Sequence, residues 1–264
     1  MEGEELRTLT LAVCEVARQA GTFIREERKR FCAEAIERKH AHDYVSYVDK
    51  GSEQMIVKAL RELLPEAGFI TEEGLASHTD EQLLWVVDPL DGTTNFIHGF
   101  APYAVSIALI RGKEILVGVV YEISADECFC AWQDGGAYLN GQPIHVGKST
   151  INDALLCLQL PYNSDAYKPV IQRLINHFYG SVGSIRMIGS AAMALCYVAA
   201  GRLDAYAERY IGQWDYMAGA LIVKEAGGRM TNYEGKDYFM QGDNVVATNG
   251  VIHQDLLEGI RLSQ

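Results

Sequence analysis

Positive charge is scarce in this chain. Its 23 lysines and arginines stand against 35 aspartates and glutamates, a formal net charge of −12 over 264 residues. That balance disfavours non-specific binding to nucleic acid, whose affinity rests on Lys and Arg neutralising phosphates, so no direct nucleic-acid partner is expected. Also missing is an uncharged run long enough to span a bilayer, and the first thirty residues, which mix Glu and Arg with periodic Leu and Val, resemble neither a signal nor a transit peptide. No membrane association and a cytoplasmic location are the resulting expectations. Cysteine is sparse and scattered: Cys14, Cys32, Cys128, Cys130, Cys157 and Cys196 read as reduced core residues, not as a disulfide framework. Cys128 and Cys130 are the only close pair, on one face of a strand in ECFCAW, and with no second pair nearby they do not make a metal site.

Several catalytic signatures are absent as well. There is no GxSxG elbow, and the seven histidines form no HExxH or similar ligand spacing. Gly141 to Ser149, GQPIHVGKS, has five residues between its glycines where a nucleotide-binding loop has four, so it reads as a hairpin turn. No internal repeat or low-complexity segment occurs, and no Pro- or Gly-rich linker divides the chain. With a hydrophobic fraction of 48%, residues 1–264 are expected to form one compact unit, an N-terminal lobe of about 1–150 against a C-terminal lobe of about 151–264.

Within that unit, Leu6, Leu9, Val13, Val16, Ala17, Ala20 and Ile24 recur at helical spacing and predict a long amphipathic helix. A second is predicted from about Ser52 to Leu64, with the polar stretch Lys39 to Asp49 between the two. From Phe69 to Trp132 the period shifts to that of strands separated by turn residues, predicting a mainly antiparallel sheet. After Lys148 strand and helix patterns alternate. The expected class is α+β or α/β, sheets and helices in layers.

The sharpest local signal is WVVDPLDGTTNFIHG, Trp85 to Gly99. Leu83 to Val87 reads as a buried strand that Pro89 ends by removing a ladder donor, leaving Asp88 and Asp91 at its exit. Carboxylates this close suit hard divalent cations, and Gly92, Thr93 and Thr94 open a helix whose free N–H groups attract an anion. Alone, such a pair is as often a turn or a cap. Two further acidic ends join it: Glu72 and Glu73 close the strand FITEEG, and Asp215 begins the helix in QWDYMAGALIVKEAGG. An acidic protein needs bound cations to receive a phosphorylated substrate, and Glu72, Asp88, Asp91 and Asp215 can hold them on either side of a scissile phosphate.

Taken together, DPLDGTTNFIHG, WDYMAGALIVKEAGG and the Glu72 segment resemble the inositol monophosphatase family of lithium-sensitive, magnesium-dependent phosphatases, from about Lys39 to Gly228. The resemblance implies a layered α-β-α-β-α sandwich of the sugar-phosphatase type, a homodimer, inhibition by Li⁺, and hydrolysis of a phosphorylated polyol, foremost myo-inositol monophosphate, by metal-activated water with two to three Mg²⁺ ions. It implies that Glu72, Asp88 and the Leu90 carbonyl hold one ion, that Asp88, Asp91 and Asp215 hold a second beside the leaving oxygen, and that a third, weaker ion touches Glu72. Thr93, with Asp49 or Glu72, is implied to orient and deprotonate the water, and the N–H groups of Gly92 and Thr93 to hold the phosphate. Lys39 matches a flanking family lysine once a small difference in loop length is allowed. On the alcohol side the family's ring contacts fall on Gly189, Ser190 and Ala191 in IGSAA and on Glu208, although Ser190 also reads as a plain helix cap. Gly212 departs from the basic or imidazole side chain of many relatives, and Arg209 and Tyr210 add bulk. The choice between inositol phosphate and another sugar or polyol phosphate, such as fructose 1,6-bisphosphate or histidinol phosphate, therefore stays open. So does an added protein-binding role of the kind some bacterial relatives have.

Overall fold

The computed structural model describes all residues except 32–35, 41–42, 75–81, 161–163, 238–241 and 264, and only the backbone of 36–40, 43–46 and 164–166. Cys32 lies outside the described residues. Two helices, α1 (Gly3–Arg28) and α2 (Tyr47–Leu63), flank the short antiparallel pair β1 (Ile36–His40) and β2 (Asp43–Ser46). The larger sheet follows: β3 (Gly68–Thr71), β4 (Leu83–Asp91), β5 (Ala104–Arg111), β6 (Glu114–Glu122), β7 (Glu127–Trp132), β8 (Ala137–Leu139) and β9 (Gln142–Pro143), in sequence order across the sheet, with α3 (Thr93–His98) between β4 and β5. All pairs are antiparallel except β3 with β4. Asn140 and Gly141 both take positive φ in the two-residue turn between β8 and β9, so GQPIHVGKS begins in a tight hairpin.

The second sheet has the order β11-β10-β12-β14-β13, built from β10 (Leu155–Leu158), β11 (Ser184–Arg186), β12 (Ala205–Ile211), β13 (Arg229–Thr231) and β14 (Asp243–Thr248). Here β10 runs parallel to both neighbours, whereas β12, β14 and β13 are antiparallel. Its helices are α4 (Ser164–Phe178), α5 (Ala191–Ala199), α6 (Gln213–Glu225) and α7 (His253–Ser263).

Three apolar layers join these parts. The buried faces of α1 and α2 pack on one side of the large sheet through Val13, Ala17, Ile24, Ile56 and Leu60. Helices α5 and α6, apolar nearly all round, fill the space between the two sheets. Helices α4 and α7 cover the outer face of the small sheet through Leu174, Phe178, Leu256 and Ile260. The order is α-β-α-β-α. Strand β6 is pressed from both sides: a Cβ on Gly118 would lie 2.6 Å from the Ala218 carbonyl oxygen of α6, and one on Gly21 of α1 would lie 2.3 Å from the Tyr121 ring. Cys14 on α1 meets Cys128 and Cys130 of β7, and among the described residues every cysteine is a free thiol.

Two boundaries differ from the sequence pattern. Helix α2 starts at Tyr47 rather than near Ser52, which places Asp49 in its first turn, and the polar stretch before it pairs as β1 and β2. Strand β4 does not stop at Pro89 but continues to Asp91.

Candidate active site

Strand β4 survives its proline because the ladder is irregular there. Asp88 faces Ser106 and Asp91 faces Ala104, so three steps along β4 answer two along β5. A bulge is where a sheet tolerates a missing N–H donor. It also resets the alternation: residues three apart on a regular strand point to opposite faces, and one extra residue turns Asp88 and Asp91 to the same side. The Leu90 N–H donates to Asp88 Oδ1 at 2.9 Å, and Ser52 Oγ donates to the Pro89 carbonyl at 3.0 Å.

Gly92 then turns the chain into α3 at φ 83°, a left-handed conformation open to glycine. Space is equally restrictive, since a Cβ here would sit 3.2 Å from the carbonyl oxygens of both Gly189 and Pro102. The turn brings Thr93 Oγ1 within 2.9 Å of Asp49 Oδ1 and 3.0 Å of the Leu90 carbonyl oxygen. Asp49 is 1% exposed.

Opposite lies the start of α5. Ser190 caps it by accepting the Met193 N–H at 3.3 Å and donates its own hydroxyl to Asp91 Oδ2. The Ala191 and Ala192 N–H groups also donate to Asp91, at 3.3 and 3.1 Å. Asp91 thus ties the two sheets' connecting segments together at a helix N-terminus. Asn95 holds the approach to α5 by donating to the Ile188 and Pro102 carbonyls, both at 2.8 Å. Gln159, just past β10, accepts the Ile188 and Gly189 N–H groups at 2.9 and 3.3 Å.

The remaining acids come from β12 and α6. Glu208 accepts a 2.5 Å hydrogen bond from Tyr206 Oη, and Asp215 Oδ2 accepts the Gly212 N–H at 2.7 Å. Gly212 has a packing reason: its Cβ would lie 2.6 Å from the Trp214 indole. Just before it β12 is irregular between Arg209 and Ile211, with Tyr210 at φ 62° and the Arg209 guanidinium 5.1 Å from the Tyr210 ring centroid. These groups surround a cleft of about 440 Å³ that reaches from Glu72 and Asp88 to Glu208 and Tyr210.

Electrostatics single out the acidic floor of that cleft. One carboxylate oxygen from each of Asp88, Asp91 and Asp215 lies within 4.8 Å of the others. Burial, then the charges of Glu72, Asp91 and Asp215, push the Asp88 carboxyl well above the ordinary carboxylate range. Asp215 is raised in the same way, by burial and by Glu72, Asp91 and Glu208. Asp91 rises only to about 6, because the hydrogen bonds from Ser190 and the α5 N–H groups oppose its burial. Burial lifts Glu208 to about 7 against the Tyr206 bond. Among the described residues no Lys or Arg pairs with Asp88, Asp91 or Asp215. Uncompensated carboxylates converging on one point, with the Leu90 carbonyl and Glu72 at their side, are an oxygen-only donor set that fits hard divalent cations.

Glu72, Asp88, Leu90, Asp91, Gly92, Thr93, Gly189, Ala191, Glu208 and Asp215 all line this one cleft, and Asp49 reaches it through Thr93. Ser190 is buried behind it with its hydroxyl engaged by Asp91 and Met193. Lys39 is on β1, and its side chain lies outside the described residues. Asn95, Gln159 and Trp214 line the cleft without having been singled out in the sequence. Gln159 carried a signal, as the one polar residue in the apolar run LLCLQL; Asn95 stood inside the acidic motif itself.

Comparison with known proteins places the chain among relatives. The profile of the inositol monophosphatase family matches residues 5–264. An inositol-1-monophosphatase of Mesorhizobium japonicum is 38% identical over 221 residues, 83% of each chain. The Nus factor SuhB of Pseudomonas aeruginosa is 39% identical over 255 residues, 93% of each. The solved inositol monophosphatase of Anabaena superposes with a TM-score of 0.86 at 31% identity, covering 97% of this chain and 96% of that one. With residues 5–264 matched by the family profile and relatives of 38–39% identity covering more than four-fifths of it, the chain belongs to the inositol monophosphatase family.

Proposed function

We propose that the chain is a Mg²⁺-dependent phosphomonoesterase that hydrolyses myo-inositol monophosphate to inositol and phosphate. The observation that carries this reading is the meeting of Asp88, Asp91 and Asp215 oxygens within 4.8 Å, beside a Thr93 hydroxyl held by Asp49. Glu72, Asp88 and the Leu90 carbonyl are assigned to one cation; Asp88, Asp91 and Asp215 are assigned to another. Bound there, the cations supply Lewis-acid activation of water and neutralise charge on the leaving oxygen. Thr93 Oγ1, fixed by Asp49 and the Leu90 carbonyl, orients the attacking water and passes its proton to Asp49, while the Gly92 and Thr93 N–H groups hold the phosphate. Attack in line with the ester oxygen expels the alcohol, which takes its proton from solvent. Glu208 and the Gly189–Ala191 segment face the alcohol half. A homodimer is part of this reading, on the family resemblance.

Phosphate release from a folded sample tests it. Myo-inositol monophosphate is expected to be hydrolysed with Mg²⁺ and not with EDTA, and Asp91→Asn or Asp215→Asn to lower the rate on the order of 10²-fold or more. No activity on any inositol phosphate would refute the substrate, leaving another sugar or polyol phosphate to be found with a wider panel. Activity that survives both substitutions would refute the mechanism.

The likeness to a Nus factor favours a second, compatible reading, an added protein-binding role. A partner that is captured equally by the chain and by its Asp91→Asn variant would separate that role from catalysis.

A further inference from the structure

Gln159 has a fixed half and an unused half. Its Oε1 takes the N–H groups of Ile188 and Gly189, which decides the orientation of the amide, because the NH₂ end cannot face two donors. That leaves two N–H bonds on Nε2 with no acceptor among the described residues. Nor is Nε2 one of the sealed polar atoms without a partner, which are Trp85 Nε1 and Arg209 Nε. Gln159 as a residue is only 7% exposed, and the surface it does present lines the cleft. A nearly buried donor with no protein partner and an opening onto a substrate cleft points to a ligand acceptor.

The neighbour across the sheet defines what that ligand carries. Leu158 of β10 pairs with Ala207 of β12, and the Gln159 N–H donates to the Ala207 carbonyl at 3.1 Å, so Gln159, just past the end of β10, and Glu208, within β12, sit side by side at the same level of two adjacent parallel strands. Adjacent strands are separated by about 4.8 Å. Glu208 offers acceptor oxygens and Gln159 a donor. Two hydroxyls on neighbouring carbons meet both: one donates a hydrogen bond to Glu208, and the other accepts a hydrogen bond from Gln159.

We propose that Gln159 and Glu208 form a donor–acceptor pair that reads a vicinal diol on the alcohol half of the substrate, with Gln159 Nε2 as the donor. The proposal rests on the phosphomonoesterase reading above and narrows its substrate to polyol esters with adjacent free hydroxyls. Gln159 has a positioning duty as well, through Ile188 and Gly189, and Gln159→Glu keeps that acceptor while removing the donor.

The test compares kcat/KM for myo-inositol 1-phosphate and for p-nitrophenyl phosphate, which has no hydroxyl, in the wild type and in Gln159→Glu and Gln159→Met, with Mg²⁺. The ratio of the two constants is expected to fall on the order of 10-fold in both variants, mainly through KM. An unchanged ratio, with both substrates losing equally, would mean that Gln159 only positions the Ile188–Gly189 turn and would overturn the proposal. A folded wild type that splits p-nitrophenyl phosphate but shows no preference for the inositol ester would overturn the diol subsite while leaving the phosphatase reading standing. A wild type inert towards both would overturn that reading and the subsite with it.

Discussion

Replacing Asp215 by Asn is expected to stabilise the cation-free protein while it removes the response to cations. The Gly212 N–H, 2.7 Å from Asp215 Oδ2, keeps its acceptor in Asn, so the start of α6 stays capped. The new amide N–H groups face carboxylate oxygens of Asp88 and Asp91 that lie within 4.8 Å. What disappears is one of three negative charges. At that separation a like-charge pair costs about 3.5 kcal/mol for an effective dielectric of 20 and about 0.9 kcal/mol in water. Asp215 is part-exposed to the cleft, so screening and partial protonation bring the expected gain to about 1–3 kcal/mol. For a chain of this size that is a rise in Tm of roughly 2–10 °C.

The sign of the pH dependence follows from the same charges. Asp88 and Asp215 have folded-state pKa values above their unfolded ones, and Asp91 and Glu208 are raised to about 6 and about 7. The folded protein binds these protons more tightly than the unfolded chain does. Their contribution to stability is therefore fullest below the unfolded values near 4 and is lost as pH rises through the folded-state values. Thermal unfolding in EDTA between pH 5 and 8 should show the Asp215→Asn variant pulling ahead of the wild type as pH rises. Added Mg²⁺ should reverse the ranking at pH 7, since binding stabilises by RT ln(1 + [L]/Kd) and the variant has lost a ligand. A variant that melts below the wild type in EDTA would refute the reasoning, because it would mean that Asp215 is held by something the described residues do not contain.

Two further outcomes are open to measurement. Gly118→Ala should lower stability by about 3 kcal/mol in urea unfolding, because its Cβ would meet backbone atoms of Ala218 at 2.6 and 3.2 Å and neither β6 nor α6 can yield without disturbing both sheets. Glu208, lifted to about 7 by burial, accepts hydroxyls best when ionised, so KM for a polyol phosphate should fall as pH rises through about 7 in the wild type and stay level in Glu208→Gln; a parallel pH profile in the variant would remove Glu208 from the alcohol subsite.

How much of this was legible in the sequence depended on whether a signal was local. The apolar period of α1 and the acidic residues Glu72, Asp88, Asp91 and Asp215 are carried by short local patterns, and the fold keeps α1 as a helix and brings those four acids to one cleft, although Asp88 and Asp91 lie within β4 and not past its end. Signals that need a partner from elsewhere were not legible. The role of Gln159 exists only because Ile188 and Gly189 arrive opposite β10, and Gly212 is small because Trp214 folds back over it. The stretch before Asp49 is too polar to announce β1 and β2, which pair with each other as a separate two-stranded sheet. Pro89 is the most instructive case. Read along the chain it is a strand breaker, since it lacks a donor and fixes φ. Across the sheet the same lack is what a bulge accommodates, and the bulge is what aims Asp88 and Asp91 into one cleft instead of onto opposite faces. A strand that really ended at Pro89 would leave the direction of Asp91 to a loop; continued pairing of Asp91 with Ala104 fixes it to the sheet, and the N–H groups of Ala191 and Ala192 fix it to α5. Of Asp88, Asp91 and Asp215, the carboxylate tied to both β4 and α5 is thus the one whose pKa is raised least, because the hydrogen bonds that locate it also stabilise its charge.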